Sequence, residues 1–217
     1  MISVLTPTIR PQGLQMVMES LERQTNQEFE WLVEMGMPWR GHDLSASMNR
    51  MLRRAQGDII VIHQDYITAP DNALEKILEN HRLSPMTLFT YPVSKYIQLG
   101  DDLKHDWRQD AIGFRPYYQW ETDYASAPRK MFFDVGGYDE DFDKGWSWEN
   151  VNIGHRAEKA GYVVRCDSTL KTTAWDHDAA MAHPFRGKNE NQELSKSKAM
   201  MIEAGEWRAT APFNGRR

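Results

Sequence analysis

The sequence predicts an α/β protein built on a parallel sheet with helices on both faces. Three observations carry that expectation. Short apolar runs alternate with amphipathic stretches through the first half of the chain. One run, Asp58-Ile59-Ile60-Val61-Ile62, stays apolar after its first residue without alternation, as a strand buried on both faces does. The 217 residues are 41% hydrophobic and 26% charged, a globular balance long enough to enclose a substantial core.

Taken in order, Ile2-Ser3-Val4-Leu5 reads as the first strand, broken by Thr6-Pro7-Thr8. Leu14, Val17, Met18 and Leu21 recur at helical spacing. Phe29 to Met35 reads as a second strand. Ser45 to Ala55 reads as a helix with Met48, Met51, Leu52 and Ala55 on one stripe, and Gly57 as its stop. The apolar run to Ile62 is the third strand, Leu74, Ile77 and Leu78 mark a third helix, and Met86 to Val93 a fourth strand. This order means right-handed crossovers and a parallel sheet. Residues 94–127 are rich in aromatics and charge with little periodicity. Met131-Phe132-Phe133 leads into the turn Gly136-Gly137-Tyr138-Asp139. Ser147 is the expected cap of a helix through Lys159 that Gly161 ends. Tyr162 to Cys166 is a further strand, and a helix from about Asn191 to Ala204 lies in a C-terminal appendage.

The net charge of −5 gives no global positive field to draw the chain to nucleic acid or an anionic membrane. Residues 184–217 carry seven Lys/Arg against four Asp/Glu, a local +3 that leaves −8 elsewhere. Cys166 is the one cysteine, so an internal disulfide is excluded. No apolar run approaches the roughly 18–20 residues of a spanning helix, and the first residues lack a signal-peptide pattern. The expected location is the cytoplasm.

Ligands of such sheets bind beyond the carboxyl ends of the strands, so the residues there are the candidates. No Gly-rich phosphate loop or nucleophile elbow is present. His63 and Asp65 follow the buried strand, and as i and i+2 of an extended segment they point the same way. A carboxylate with an imidazole suits Mn²⁺ or Mg²⁺ on a diphosphate; the alternative is a capping Asp65 beside a solvated His63. Glu149, in Gly145-Trp146-Ser147-Trp148-Glu149-Asn150, opens a helix, where the macrodipole favours an ionised carboxylate. It is either a general base in a Trp-lined pocket or an acid that only stabilises the helix. Trp175-Asp176-His177-Asp178 with His183 offers a further cation ligand or a phosphate donor. Glu34, at the end of the second strand, could accept a uracil-type N–H, with Thr6 and Thr8 nearby in the first turn. The aromatics from Phe114 to Tyr124 form either a stacking platform or core.

In their order and spacing these segments resemble the GT-A type glycosyltransferases, especially the family-2-like group, over residues 1–178. Ser3 to Thr8 resembles the opening strand and its nucleotide-contacting turn, and Gly57 to Asp65 the strand ending in an acidic metal motif. Phe133 to Glu140, Trp146 to Arg156 and Ala160-Gly161-Tyr162 resemble the second half. There a Gly-Gly-aromatic-Asp turn precedes an acidic pair opening a helix, with an Arg further on.

The resemblance implies a GT-A (Rossmann-like) fold, with a mixed, mostly parallel central sheet flanked by helices. Residues 1–93 would be the nucleotide-sugar half and 94–183 the acceptor half, with 184–217 a basic helical tail. It implies a metal-dependent transfer of a hexose from a UDP-sugar to a hydroxyl acceptor. Thr6, Pro7, Thr8, Glu34, Asp65 and Arg156 would contact the donor. Asp65, His63 and His177 would hold a divalent cation, Mn²⁺ or Mg²⁺. Two departures stand out: His63 replaces the usual first acid, and the acidic pair reads Glu149-Asn150, with Asn152 where an acid is common. Asn150 cannot abstract a proton. Either Glu149 is the base, or the enzyme is retaining, or the chain is a degenerate binding module. A transferase acting on hydroxymethylated bases in DNA is a further alternative, suggested by the basic tail.

Overall fold

The structure, a computed structural model, describes residues 1–36, 43–97, 106–111, 113–145, 147–175 and 190–206. Strands β1 (Ile2–Thr8), β2 (Phe29–Met35), β3 (Ile59–His63), β5 (Thr87–Thr90), β7 (Gly113–Arg115), β8 (Tyr124–Pro128) and β9 (Val163–Cys166) form one sheet in the order β2-β1-β3-β8-β5-β9-β7. Pairing is parallel for β1–β2, β1–β3 and β5–β9, whereas β8 and β7 run against their neighbours. The sheet is therefore mixed and mostly parallel. A second sheet holds β4 (Ile67–Thr68), β10 (Thr172–Trp175) and β6 (Val93–Ile97). The helices are α1 (Gly13–Glu22), α2 (Leu44–Arg54), α3 (Ala73–Leu83), α4 (Arg129–Asp134), α5 (Glu149–Lys159) and α6 (Glu190–Glu203).

The pleat of the central strands explains their unbroken apolar runs. Leu5, Ile60 and Ile62 point into one core with Met48, Met51, Trp120, Phe132 and Ile153. Val4 and Val61 point the other way, onto Val17, Leu21, Leu74 and Ile77. Successive residues of β1 and β3 thus feed two cores, which only a sheet covered on both faces requires.

Several elements depart from the sequence expectation. Thr6-Pro7-Thr8 does not break β1, which continues to Thr8. Pairing with β3 stops at Leu5↔Ile62, so Pro7 sits where β1 has lost one neighbour and a missing N–H is tolerated. The expected strand from Met86 to Val93 is divided: Thr87–Thr90 pairs in the large sheet, and Val93 onward joins the small one. Ser147 does not cap α5. It has φ 64°, the N-cap is Trp148 at φ 78°, and no side chain caps the helix. β8 begins inside the stretch without periodicity, whose pattern marks no strand.

Gly57 is not the stop of α2, which ends at Arg54. It is a point of close approach: a Cβ there would lie 2.5 Å from the Ser3 backbone nitrogen. The Gly57 N–H donates to Ser3 Oγ at 2.8 Å, and Ser3 Oγ donates to Glu30 at 2.5 Å, which ties the entry of β3 to β1 and β2. Gly57→Ala should therefore force the backbones apart and destabilise the fold by about 1–3 kcal/mol, read as a lower urea midpoint at unchanged slope.

Candidate active site

The carboxyl ends of β1 and β3 bring the first cluster together. Thr8 Oγ1 donates to Asp65 Oδ2 at 2.5 Å and accepts the Arg10 N–H at 2.8 Å. Arg10 Nη2 reaches Asp65 Oδ1 at 3.0 Å and the Asp65 carbonyl at 3.1 Å. Asp65 is buried, so this is a sheltered ion pair and each carboxylate oxygen has a partner. Gly13, the first residue of α1, makes the approach possible, since a Cβ there would fall 2.3 Å from the Asp65 carbonyl oxygen. A lone glycine beside Pro11 gave no sign of that role in the sequence.

His63 does not share these partners. It is fully buried, its ring packs edge-on to Tyr124, and Nε2 donates to the Ile67 carbonyl at 2.9 Å. Burial lowers its pKa to about 4, against the smaller opposing effect of that hydrogen bond. The imidazole is neutral with its lone pair on Nδ1, which has no partner. The solvated His63 of the sequence reading is thus excluded.

The other donor-side candidates are engaged within the chain. Thr6 Oγ1 accepts from the Trp31 indole at 2.9 Å. Glu34 accepts from Arg50 Nε at 2.7 Å on one oxygen and from Arg54 Nη1 at 3.0 Å on the other, and Arg50 also reaches Asp43. Glu34 therefore fixes α2 against β2, and a nucleobase N–H would have to share its oxygens. Arg156 is placed away from the first cluster. It is 1% exposed, with Nε on Asn152 Oδ1 and Nη1 on the Val135 carbonyl, so it braces α5 against α4 rather than facing a donor.

The second cluster surrounds the start of α5. Gly136 and Gly137 both have positive φ, near 78° and 75°, which explains the Gly-Gly turn. Asn49 of α2 clasps that turn, accepting the Tyr138 N–H at 2.8 Å and donating to the Tyr138 carbonyl at 2.9 Å. Asp143 accepts the N–H groups of Ser45 and Ala46 and so satisfies the open end of α2. Burial raises the Asp143 carboxyl to about 6 even against those bonds.

Glu149 then opens α5 behind Ser147 and Trp148, two consecutive left-handed residues that are not glycine. Such conformations cost of order 1–3 kcal/mol each and concentrate at functional sites. Desolvation raises the Glu149 pKa to about 7, opposed by its own backbone N–H and reinforced by the like charges of Asp143 and Glu121. Asn150 is not placed to do chemistry: it is buried, and Nδ2 donates to the Trp120 carbonyl at 3.0 Å.

A cavity of about 590 Å³ lies alongside, lined by Tyr117, Tyr118, Glu121, Trp148, Asn150 and Ser195 among others. The aromatic stretch is thus divided. Trp120 and Tyr124 are core, Tyr117 stacks on His155 at 4.3 Å, and Tyr118 is half exposed at the cavity.

Sequence reading missed the group that joins the two clusters. Arg108 is buried and grips Asp106 through Nε at 3.0 Å and Asp123 through Nη2 at 3.0 Å. Asp123 also accepts from Tyr66 at 2.6 Å, and its carbonyl accepts the Gln64 N–H. The loop carrying Asp65 is pinned in this way to the segment carrying Glu121. Its residues lie in a stretch without periodicity, and only the salt-bridge chemistry of Asp106, Arg108 and Asp123 could have flagged them.

β10 brings Trp175 back to the same loop, its N–H donating to the Tyr66 carbonyl at 2.8 Å. Asp176, His177, Asp178 and His183 lie outside the described residues, as does Trp146. Among the described residues no three His, Cys, Asp or Glu side chains form a cation-binding group, and no helix is long and apolar enough to cross a membrane.

With this geometry in view, no family model matches the chain. It is 29% identical over 171 residues to a probable N-acetylgalactosaminyltransferase 9 of Caenorhabditis elegans, an alignment of 65% of this chain. The chain spans only 28% of that relative's length. The structure of TarS residues 1–349 from S. aureus superposes with a TM-score of 0.64 at 11% identity, covering 93% of this chain and 72% of that one. The same TarS fragment in complex with UDP gives 0.62, with equal coverage. Its complex with UDP-GlcNAc gives 0.61 at 12% identity, over 81% of this chain and 58% of that one. The chain has the GT-A fold its motifs resemble.

The raised pKa of Glu149 has a consequence for stability. An acid whose pKa is higher in the folded state favours folding fully below its unfolded value, here about 4.5, and that contribution is lost as pH rises through about 7. Glu149→Gln should therefore unfold at higher temperature than the parent at pH 8. After allowance for partial exposure the gain is about 1–2 kcal/mol. The difference should vanish near pH 4.5, and calorimetry at the two pH values checks it.

Proposed function

We propose that the chain is a glycosyltransferase that moves a hexose from a UDP-sugar to a hydroxyl acceptor. The observation that carries the donor side is the meeting of Thr8 and Asp65 at the carboxyl ends of β1 and β3, where a sheet of this kind receives its ligand. UDP and UDP-GlcNAc are named in the TarS complexes, and the C. elegans relative is named as an N-acetylgalactosaminyltransferase, which supports a nucleotide-sugar donor.

Asp65 has the chemistry of a cation ligand. The positive charge facing it is the Arg10 guanidinium, whose place a divalent ion would take. Neutral His63, with its lone pair on Nδ1, and His177 would be its companions. Bound there, Mn²⁺ or Mg²⁺ would neutralise charge on the departing diphosphate.

On the acceptor side Glu149 takes the proton. The acceptor oxygen bonds to the anomeric carbon as the bond from that carbon to the diphosphate oxygen breaks, and UDP leaves with the electron pair. A carboxyl raised to about 7 is well matched to this work near neutral pH. The two tail lysines among the described residues are paired within the chain, so neither is a free cation for a phosphate backbone. Lys196 meets Glu193, and Lys198 meets Asp139 and Asp141.

Calorimetric titration of UDP and a panel of UDP-hexoses, with Mn²⁺ and then with EDTA, tests the donor side. Binding should require the metal and be lost in Asp65→Ala; equal binding in EDTA would remove the metal role, and no binding at all would remove the UDP assignment. Transfer should rise with pH through about 7 to a plateau, the ionised carboxylate being the active form. Glu149→Gln should lower kcat by about 10²–10⁴ while donor affinity is kept.

A further inference from the structure

We infer that α6 is part of the acceptor end of the site, with Asn191 as a positioning residue that holds the Ser147–Trp148 turn and so aims Glu149. The inference rests on the proposed role of Glu149 and adds to it a residue 42 positions away in the chain.

Asn191 is 2% exposed. Its Nδ2 donates to the Phe142 carbonyl and to the Ser147 carbonyl, both at 2.8 Å. Both hydrogens of the amide are thus spent on the strand of chain that leads into α5. Ser147 and Trp148 are the two left-handed residues of that chain, and the Ser147 carbonyl is the group an unclamped turn would rotate away. Residues other than glycine persist in this conformation only where their surroundings fix it, and α5 brings no capping side chain of its own. Gly145 completes the fit, because a Cβ there would lie 2.3 Å from Asn191 Oδ1.

The rest of α6 has a separate task. Lys198 reaches Asp139 at 2.9 Å and Asp141 at 2.7 Å, and Glu203 accepts from His155 at 2.8 Å and from Lys159 at 2.6 Å. These contacts dock the helix, whereas Asn191 holds the turn through its amide. Ser195 and Ala199 then line the cavity that Trp148 also lines, so docking the helix builds a wall of that cavity.

The test separates positioning from docking by reading Glu149 itself. Its carboxyl titration is followed by ¹³C NMR, assigned against Glu149→Gln. Asn191→Leu keeps the volume, removes the donating amide and adds no charge beside Glu149. Gly145→Ala pushes the amide aside while leaving α6 unaltered. Lys198→Met removes the docking ion pairs to Asp139 and Asp141. In the first two variants Glu149 should gain solvent and titrate lower, its proton affinity falling about tenfold or more. In Lys198→Met the unfolding temperature should fall with the Glu149 midpoint unmoved. Should Asn191→Leu fail to fold, Gly145→Ala carries the test alone. Unchanged midpoints in the folded variants, or an equal shift in Lys198→Met, would overturn the inference. In transfer assays the two clamp variants should lose about tenfold in kcat at unchanged donor KM. A parent protein without transfer activity would overturn the proposed reaction, while the titration still decides the clamp.

Discussion

The short segment from Trp120 to Tyr124 is the constraint on which the site depends. Trp120 is fully buried in the core shared by α2, α4 and α5, its indole donates to the Phe89 carbonyl, and its own carbonyl receives Asn150 of α5. Three residues on, the Asp123 carbonyl receives Gln64, and its carboxylate receives Tyr66 and Arg108. Five residues thus anchor the helix that begins at Glu149 and the loop that carries Asp65. Tyr124 then starts β8, which enters antiparallel between β3 and β5. A purely parallel sheet has no such entry. The reversed strand delivers the connecting segment to the carboxyl ends of its neighbours, where a βαβ crossover would have delivered it to the opposite edge.

Around that frame the acids are treated unequally. Asp65 is met by Arg10, Glu34 by Arg50 and Arg54, Asp123 by Arg108 and Asp139 by Lys198. Asp143 has two backbone amides. Among the described residues no cation pairs with Glu149, and its neighbours Asp143 and Glu121 carry the same sign. A desolvated carboxylate among like charges stores a demand for a proton, and an approaching hydroxyl can meet it. The cost falls on stability at neutral pH, and the same feature that makes the group basic makes the fold less content with it.

Much of this was legible in the sequence, for identifiable reasons. Ile2, Val4 and Leu5 with Ile60, Val61 and Ile62 announce strands feeding two cores, because burial on both faces leaves no polar alternation. Gly136-Gly137 announces a turn because two positive φ values in succession are cheap only for glycine. The rest depends on tertiary contacts that leave little local trace. β8 reads Tyr-Ala-Ser-Ala-Pro, small residues where the sheet is crossed by Trp120 and Phe132, and no propensity marks it. Gly57 and Gly13 look like ordinary breakers, yet each is required by a backbone from elsewhere in the chain pressing on its α-carbon. Ser147 carries the right side chain for a cap and fails to cap, because Asn191 has taken the backbone of that turn for a different geometry.

The asparagines at 150 and 152 bear most directly on whether this chain is a working enzyme. From sequence they stand where acids are common and so suggest decay. In the structure both amides are in use, Asn150 donating to the Trp120 carbonyl and Asn152 accepting from Arg156. An aspartate at 150 would set a carboxylate against that carbonyl, buried and without a hydrogen to share, a loss of order 1–3 kcal/mol. Asparagine at 150 therefore belongs to the anchoring of α5. Glu149 combines a place in the first turn of α5 with a carboxyl raised to about 7, which is what the proposed proton transfer asks of it. The departure at 150 and the retention at 149 read as one arrangement, in which one residue secures the helix and its neighbour carries the proton transfer of the proposed reaction.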